Sequence, residues 1–205
     1  MGAEPVDAPQ GKRVDNARLE SRTLPPPAEW EPVAAYPLPS GVTREHAAAL
    51  RAGMQSLPTQ PAAAQLAFND QRLGALFASG KADLLPATKT VLDAVIARYQ
   101  GKAGLRLAVV GHTDNQGLSP RAQKRFGDNA GLSDARALAV VTYLQAGLGL
   151  STDKLAMAGK GASQPLASNL TAAGMVQNRR LVLTAWPDAP VGALPPSPAP
   201  VSGCA

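Results

Sequence analysis

Few side chains in this sequence could make or break a covalent bond. The two histidines, His46 and His112, lie far apart in the chain. No His-Glu-x-x-His zinc motif and no Gly-x-Ser-x-Gly elbow occurs. Gly80-Lys81 lacks the Ser or Thr that completes a phosphate loop. What the sequence offers instead is recognition, in three polar segments. The first is Gly111-His112-Thr113-Asp114-Asn115 with Gly117. The second is Asn129, Leu132-Ser133 and Arg136-Ala137. The third is Asn169-Leu170-Thr171, Gly174 and Asn178-Arg179-Arg180. Asp114 is acceptor-only when ionised, and an arginine such as Arg136 presents a planar fork of donors. Taken singly, Asp114 reads as a turn residue and Arg136 as a solvated cation. Asp114 has no obvious acidic partner in these motifs for acid–base work. His112 follows an apolar run and reads as a packed, hydrogen-bonded side chain. His46, on the polar side of an early helix, reads as inert.

The elements that must position these segments follow from periodicity. Thr43–Leu57 reads as a helix with Thr43 as N-cap and Ala47, Leu50 and Met54 at helical spacing. Gln65–Phe68 suits a short strand and Leu73–Phe77 another, with a turn at Gly80-Lys81. Pro86 opens a helix at a position where its missing N–H does no harm, with Val91, Leu92, Val95 and Ile96 inward. Leu105–Val110 reads as a buried, β-rich strand. Ser133 is the expected cap of a helix reaching about Gln145, with Ala137, Val140, Val141 and Leu144 inward and Gly147 and Gly149 ending it. Leu155–Ala158 is a strand, Thr171–Gln177 a short helix and Arg180–Ala185 the last strand. From residue 72 the order is β-α-β-α-β-α-β, which predicts an α/β fold with helices packed on a sheet.

Composition bounds the rest. The chain has 205 residues, 45% of them hydrophobic and 4% aromatic, so its core should be built of Leu, Val and Ala. The net charge is +5, and residues 101–187 carry ten basic against four acidic side chains. A basic surface concentrates polyanions, whether nucleic acid, anionic lipid or an anionic wall polymer. Nucleic acid is disfavoured, because no aromatic stacking platform or reading motif accompanies the charge. The single cysteine, Cys204, excludes an intrachain disulfide. No run approaches the roughly 20 apolar residues of a membrane helix. Proline marks residues 1–41 as a linker or arm, with Trp30 and Tyr36 as its large anchors, and residues 188–205 as a tail. A helix and possible extra strand, 42–71, then precede a domain at 72–187.

These three segments, in this order, resemble the OmpA-like family. The family includes the C-terminal domains of outer-membrane proteins, peptidoglycan-associated lipoproteins and flagellar stator proteins. The upstream run Leu76-Phe77, Gly80-Lys81, Leu84, Pro86 and Leu92 matches the same pattern. The resemblance implies an α+β sandwich, with helices on a small mixed sheet between proline-rich arms. It also implies non-covalent binding of peptidoglycan of the diaminopimelate type, with no enzymatic activity, no cofactor and no metal. Asp114 and Arg136 fall on the positions of the binding pair. Thr113, Asn129 and Leu132 fall near the ligand, and Arg179 or Arg180 on a site-facing position. The implied setting is the periplasm or cell envelope, outer-membrane associated in a Gram-negative bacterium. Other envelope proteins are further possible partners, and a membrane would be reached through a segment absent from this chain. The alternative is an envelope scaffold that binds a protein partner without binding the wall.

The chemistry fits that assignment. Diaminopimelate presents an ammonium beside a carboxylate, which an acceptor-only group and a planar fork together recognise. With Ser133 as cap, Arg136 would lie in a first helical turn, where free N–H groups and the dipole favour an anion. The sequence also departs from the family. The stretch between Gly117 and Asn129 is longer, and holds Arg121, Lys124, Arg125, Phe126 and Asp128. It is expected to be a solvated loop, or to cover or widen the site or touch glycan. Gly159-Lys160-Gly161 stands where the family has an aromatic residue between glycines, and Gly174-Met175 where it has Gly-Arg.

Overall fold

The structure, a computed structural model, describes residues 36–58, 64–69 and 76–186. Helix α1 (Arg44–Ala52) starts at Thr43, whose side chain accepts from the backbone N–H of His46, and it runs into a short 3-10 turn at Gly53–Ser56. Strand β1 is Ala64–Asn69, helix α2 Pro86–Tyr99 and strand β2 Arg106–His112. Then come helices α3 (Pro120–Phe126) and α4 (Asn129–Leu148), strand β3 (Leu155–Gly159), helix α5 (Ala172–Asn178) and strand β4 (Arg180–Trp186).

The four strands form one mixed sheet in the order β1-β4-β2-β3. β4 is antiparallel to both β1 and β2, while β2 and β3 run parallel. β2 therefore lies inside the sheet, which explains why Leu107, Ala108 and Val109 are all buried rather than alternating. β4 does alternate, turning Leu181, Leu183 and Ala185 into the core. α4 lies across β2 and β3 and gives the core Leu132, Ala137, Leu138, Val140, Val141 and Leu144. α2 packs beside it through Leu92, Val95 and Tyr99. α1 packs on β3 and adds Ala47 and Leu50 to the same core.

Three expectations about elements change. The strand expected at Leu73–Phe77 is not seen in the part that is described. Leu76 is in a bend, and Phe77 makes one isolated bridge to Leu84. The reason is competition: β4 pairs with β2 on one side and with Ala64–Asn69 on the other, so no edge of it remains. The short strand expected at Gln65–Phe68 thus belongs to the central sheet. Second, the long basic stretch holds a helix, α3. Ser119 caps it by accepting from the N–H of Ala122, and it buries Ala122 and Phe126. Third, α4 starts well before Ser133. Asp128 is its N-cap, accepting from Gly131 at 2.9 Å, and Gly149 ends it in the left-handed region.

Tyr36 reaches the domain core, packed against Phe126 with ring centroids 6.2 Å apart. Its hydroxyl donates to Asp134 of α4 at 2.5 Å, and Arg51 of α1 donates to the same carboxylate at 2.6 Å. Asp134 is 1% exposed, and an unpaired carboxylate there would be costly. The trio ties the segment before the sheet to the helix behind it. Trp30, the tail from 187 and Cys204 lie outside the described residues.

Candidate functional site

The first polar segment leaves the end of β2 alongside the end of β3. Pairing continues past both strands, since Lys160 N–H donates to Gly111 O and Thr113 N–H to Gly161 O, each at 2.9 Å. The Gly-Lys-Gly segment is thus the backbone splint of the loop that carries Asp114. α4 sits directly on this splint. A Cβ at Gly111 would lie 2.3 Å from the carbonyl oxygen of Ser133, and one at Gly159 would lie 2.4 Å from the nitrogen of Asp134. Only glycine permits that approach. Ser133 works inside the helix: its hydroxyl donates to Ala130 O and accepts from Gly161 N–H, both at 2.8 Å. It is a clasp between helix and splint, not a cap.

This packing brings Arg136 to the mouth of the sheet, and Arg136 lies two turns inside α4 rather than in its first turn. The free N–H groups and helix dipole expected beside it are therefore not what orients a ligand there. The side chain is held otherwise. Its Nε donates to the carbonyl of Lys81 at 2.9 Å, and its guanidinium lies 4.9 Å above the ring of Phe77. The Ala78–Lys81 turn that supplies this carbonyl needs Gly80 at φ +62°.

Asp114 is 6% exposed. Its Oδ1 accepts from the N–H of Gln116 at 3.1 Å, and its Oδ2 from Nη1 of Arg179 at 2.6 Å. Asn129, the first residue of α4, donates to the carbonyl of Gln116 at 2.8 Å and pins the loop from its far side. Arg179 is set by its neighbour Asn178, which is fully buried. The side-chain oxygen of Asn178 accepts from Leu166 and Ala167, and its nitrogen donates to Ala167 O and Asn169.

An open cleft of about 430 Å³ results. Six of the seven expected residues line it: Thr113, Asp114, Asn129, Leu132, Arg136 and Arg179. Arg180 does not. It begins β4, so it points away from its predecessor, and it donates to the carbonyls of Gln164 and Asn178. It lines instead a small neighbouring cavity beside His112. His112 is buried, and its Nδ1 has no hydrogen-bond partner among the described residues, contrary to expectation. Burial, then the charges of Arg180 and Lys160, push it down to about 3. Sequence reasoning missed Phe77, Gly80, Gln116 and Ser119 as lining residues. The Gly80 turn was visible, but not that it would close one side of the cleft.

The cleft thus sets an acceptor and planar donor forks in one hollow, with a leucine wall. That suits a zwitterion of ammonium and carboxylate. His112 does not line it. Among the described residues no group of His, Cys, Asp and Glu is arranged to hold a metal, and no helix is long and apolar enough to cross a membrane.

The OmpA family profile matches residues 76–179. The peptidoglycan-binding protein ArfA of Mycobacterium tuberculosis is 35% identical over 105 residues, covering 51% of this chain and 30% of the relative. Outer membrane protein A of Bordetella avium is 32% identical over 121 residues, covering 59% of this chain and 57% of the relative. The chain thus spans less than two thirds of either relative. Among solved structures, a putative MotB-like protein from Desulfovibrio vulgaris superposes with a TM-score of 0.53 at 26% identity, over 60% of this chain and 74% of that one. The cell wall anchor of the type VI secretion system from Pseudomonas aeruginosa gives 0.51 at 27% identity, over 60% and 80%.

Proposed function

Since the chain belongs to the OmpA family, we propose that it holds peptidoglycan non-covalently through the diaminopimelate residue of the stem peptide. It thereby anchors an envelope structure to the wall and performs no chemistry on it. The ammonium of the ligand bonds to Asp114 and its carboxylate to Arg136. Arg179 balances the charge of Asp114, Asn129 and Thr113 fix the loop, and Leu132 packs against the aliphatic stem. The observation that carries this reading is the meeting of Asp114 and Arg136 in one cleft, from segments distant in sequence, each itself buried and held by hydrogen bonds to the surrounding loops. The name of the mycobacterial relative points the same way. The setting that follows is the periplasm, against a diaminopimelate-type wall and on the outer-membrane side.

A single site of this kind is weak. A few charge-assisted bonds of about 1.5–3 kcal/mol each, less the cost of immobilisation, give roughly millimolar to micromolar affinity. A sacculus repeats the ligand many times, and avidity then supplies retention.

The test is co-sedimentation with purified sacculi of wild type, Asp114→Ala and Arg136→Ala, with free diaminopimelate as competitor and melting curves as the folding control. Wild type should sediment, both folded variants should stay in solution, and diaminopimelate should release the wild type. Wild type that stays in solution, or that free diaminopimelate leaves bound, overturns the assignment.

A further inference from the structure

Helix α3 has a face that the cleft does not use. Ala122 and Phe126 turn inward, one helical turn apart, and anchor it. Arg121, Lys124 and Arg125 are therefore on its outer side, and all three are exposed. Residues 117–127 contain no acidic side chain. None of the three cations has an ion pair among the described residues. A solvated loop would not need such fixing. Yet Ser119 caps the helix, Gly127 closes it, Phe126 is 1% exposed, and Arg125 lies 5.0 Å over the Phe126 ring. Ser119 also lines the cleft, and Ala122 sits under the Gly80 turn on the cleft's side. At about 1.5 Å per residue, the basic face lies within roughly 10 Å of the rim. An extended peptide covers that distance in about three residues.

We infer that α3 is a second, electrostatic contact for the same wall polymer, taking free carboxylates that neighbour the bound diaminopimelate on the stem peptide. This rests on peptidoglycan as the ligand and deepens that reading. The face carries three cations and no anion, the polymer beside the cleft is a polycarboxylate, and the two are separated by a short stretch of that polymer. The cleft supplies recognition of one residue, and α3 adds a salt-dependent contribution to which several stem peptides in a sacculus offer partners.

The test compares the whole chain with Arg121→Gln/Lys124→Gln/Arg125→Gln and, separately, Asp114→Ala. Sacculus sedimentation is read at low and high salt, and affinity for free diaminopimelate is read by calorimetry. The triple variant should keep the diaminopimelate affinity and lose sacculus retention about three- to tenfold at low salt, with the salt dependence largely gone. If it sediments like wild type at every salt while Asp114→Ala does not, the α3 contact is overturned and the cleft stands. If Asp114→Ala sediments like wild type while the triple variant does not, the cleft assignment falls and the α3 contact stands. Vesicles of phosphatidylglycerol form the last arm. If the substitutions abolish vesicle binding and leave sacculus retention untouched, α3 serves a lipid surface and the inference is wrong.

Discussion

Oδ2 of Asp114 lies 2.6 Å from Nη1 of Arg179, so the proposed acceptor for the ligand's ammonium is shared with a cation that closes α5, one residue before β4. The pair joins the loop after β2 to the junction between α5 and the last strand. A double-mutant cycle on thermal stability with Asp114→Ala and Arg179→Ala should give a coupling of about 1 kcal/mol. The coupling is small because the Arg179 side chain is 30% exposed and partly screened. Sacculus retention should fall further in Asp114→Ala than in Arg179→Ala, since the first loses the acceptor itself. Equal losses would mean that Arg179 contacts the ligand as directly as Asp114 does.

Arg136→Lys separates charge from shape. Lysine keeps the positive charge but has no Nε to give the Lys81 carbonyl, and no plane to lie on Phe77. Retention on sacculi should drop about as far as in Arg136→Ala, with the melting temperature lowered no further than in that variant. If lysine restores binding, the cleft asks only for a cation, and the forked recognition of a carboxylate is wrong.

The parts of this fold that could be read in advance are those where one segment reports on itself. The apolar run of β2, the alternation in β4, the Pro86 start of α2 and the Thr171 cap of α5 all carry their signal locally. What could not be read depends on partners far along the chain. Asp134 looks like any helical carboxylate, and its partners Tyr36 and Arg51 lie 98 and 83 residues away. Ser133 looks like a cap because it precedes an apolar face, but its hydroxyl answers to Gly161, 28 residues on. Leu76 and Phe77 stay out of the sheet because β4 has two sides, and which segment takes the second is decided by pairing, not by propensity. At the site, the residue types were legible, and Arg179 is distinguished from Arg180 only by where β4 begins and by the partners each side chain takes.

The Tyr36, Arg51 and Asp134 cluster should be the most sensitive point outside the cleft. Asp134→Ala leaves Arg51 and the Tyr36 hydroxyl without their shared acceptor and should cost about 2–4 kcal/mol, discounted for the partial exposure of Arg51. Tyr36→Phe removes one hydrogen bond and keeps the contact with Phe126, so about 1–2 kcal/mol is expected. Urea unfolding of the two variants checks the order. If Tyr36→Phe is neutral, the segment before α1 is held by ring packing alone.

His112 gives a pH dependence with a definite sign. Burial, and then Arg180 across the strand pair and Lys160 on the adjoining splint, hold it at about 3 against an ordinary 6.5. Between those values the unfolded chain binds a proton that the folded chain refuses. Stability from this group is therefore complete above about pH 6.5 and is lost as pH falls toward 3, at no more than about 1.4 kcal/mol per pH unit. Carboxylates begin to titrate near pH 4, so the clean window is about pH 5 to 6.5. Across it, wild type should lose stability in urea titrations, while His112→Gln, less stable at pH 7, should show a flatter slope. Parallel slopes would mean that the imidazole takes its proton within the folded protein, and that the cavity beside Arg180 admits the charge.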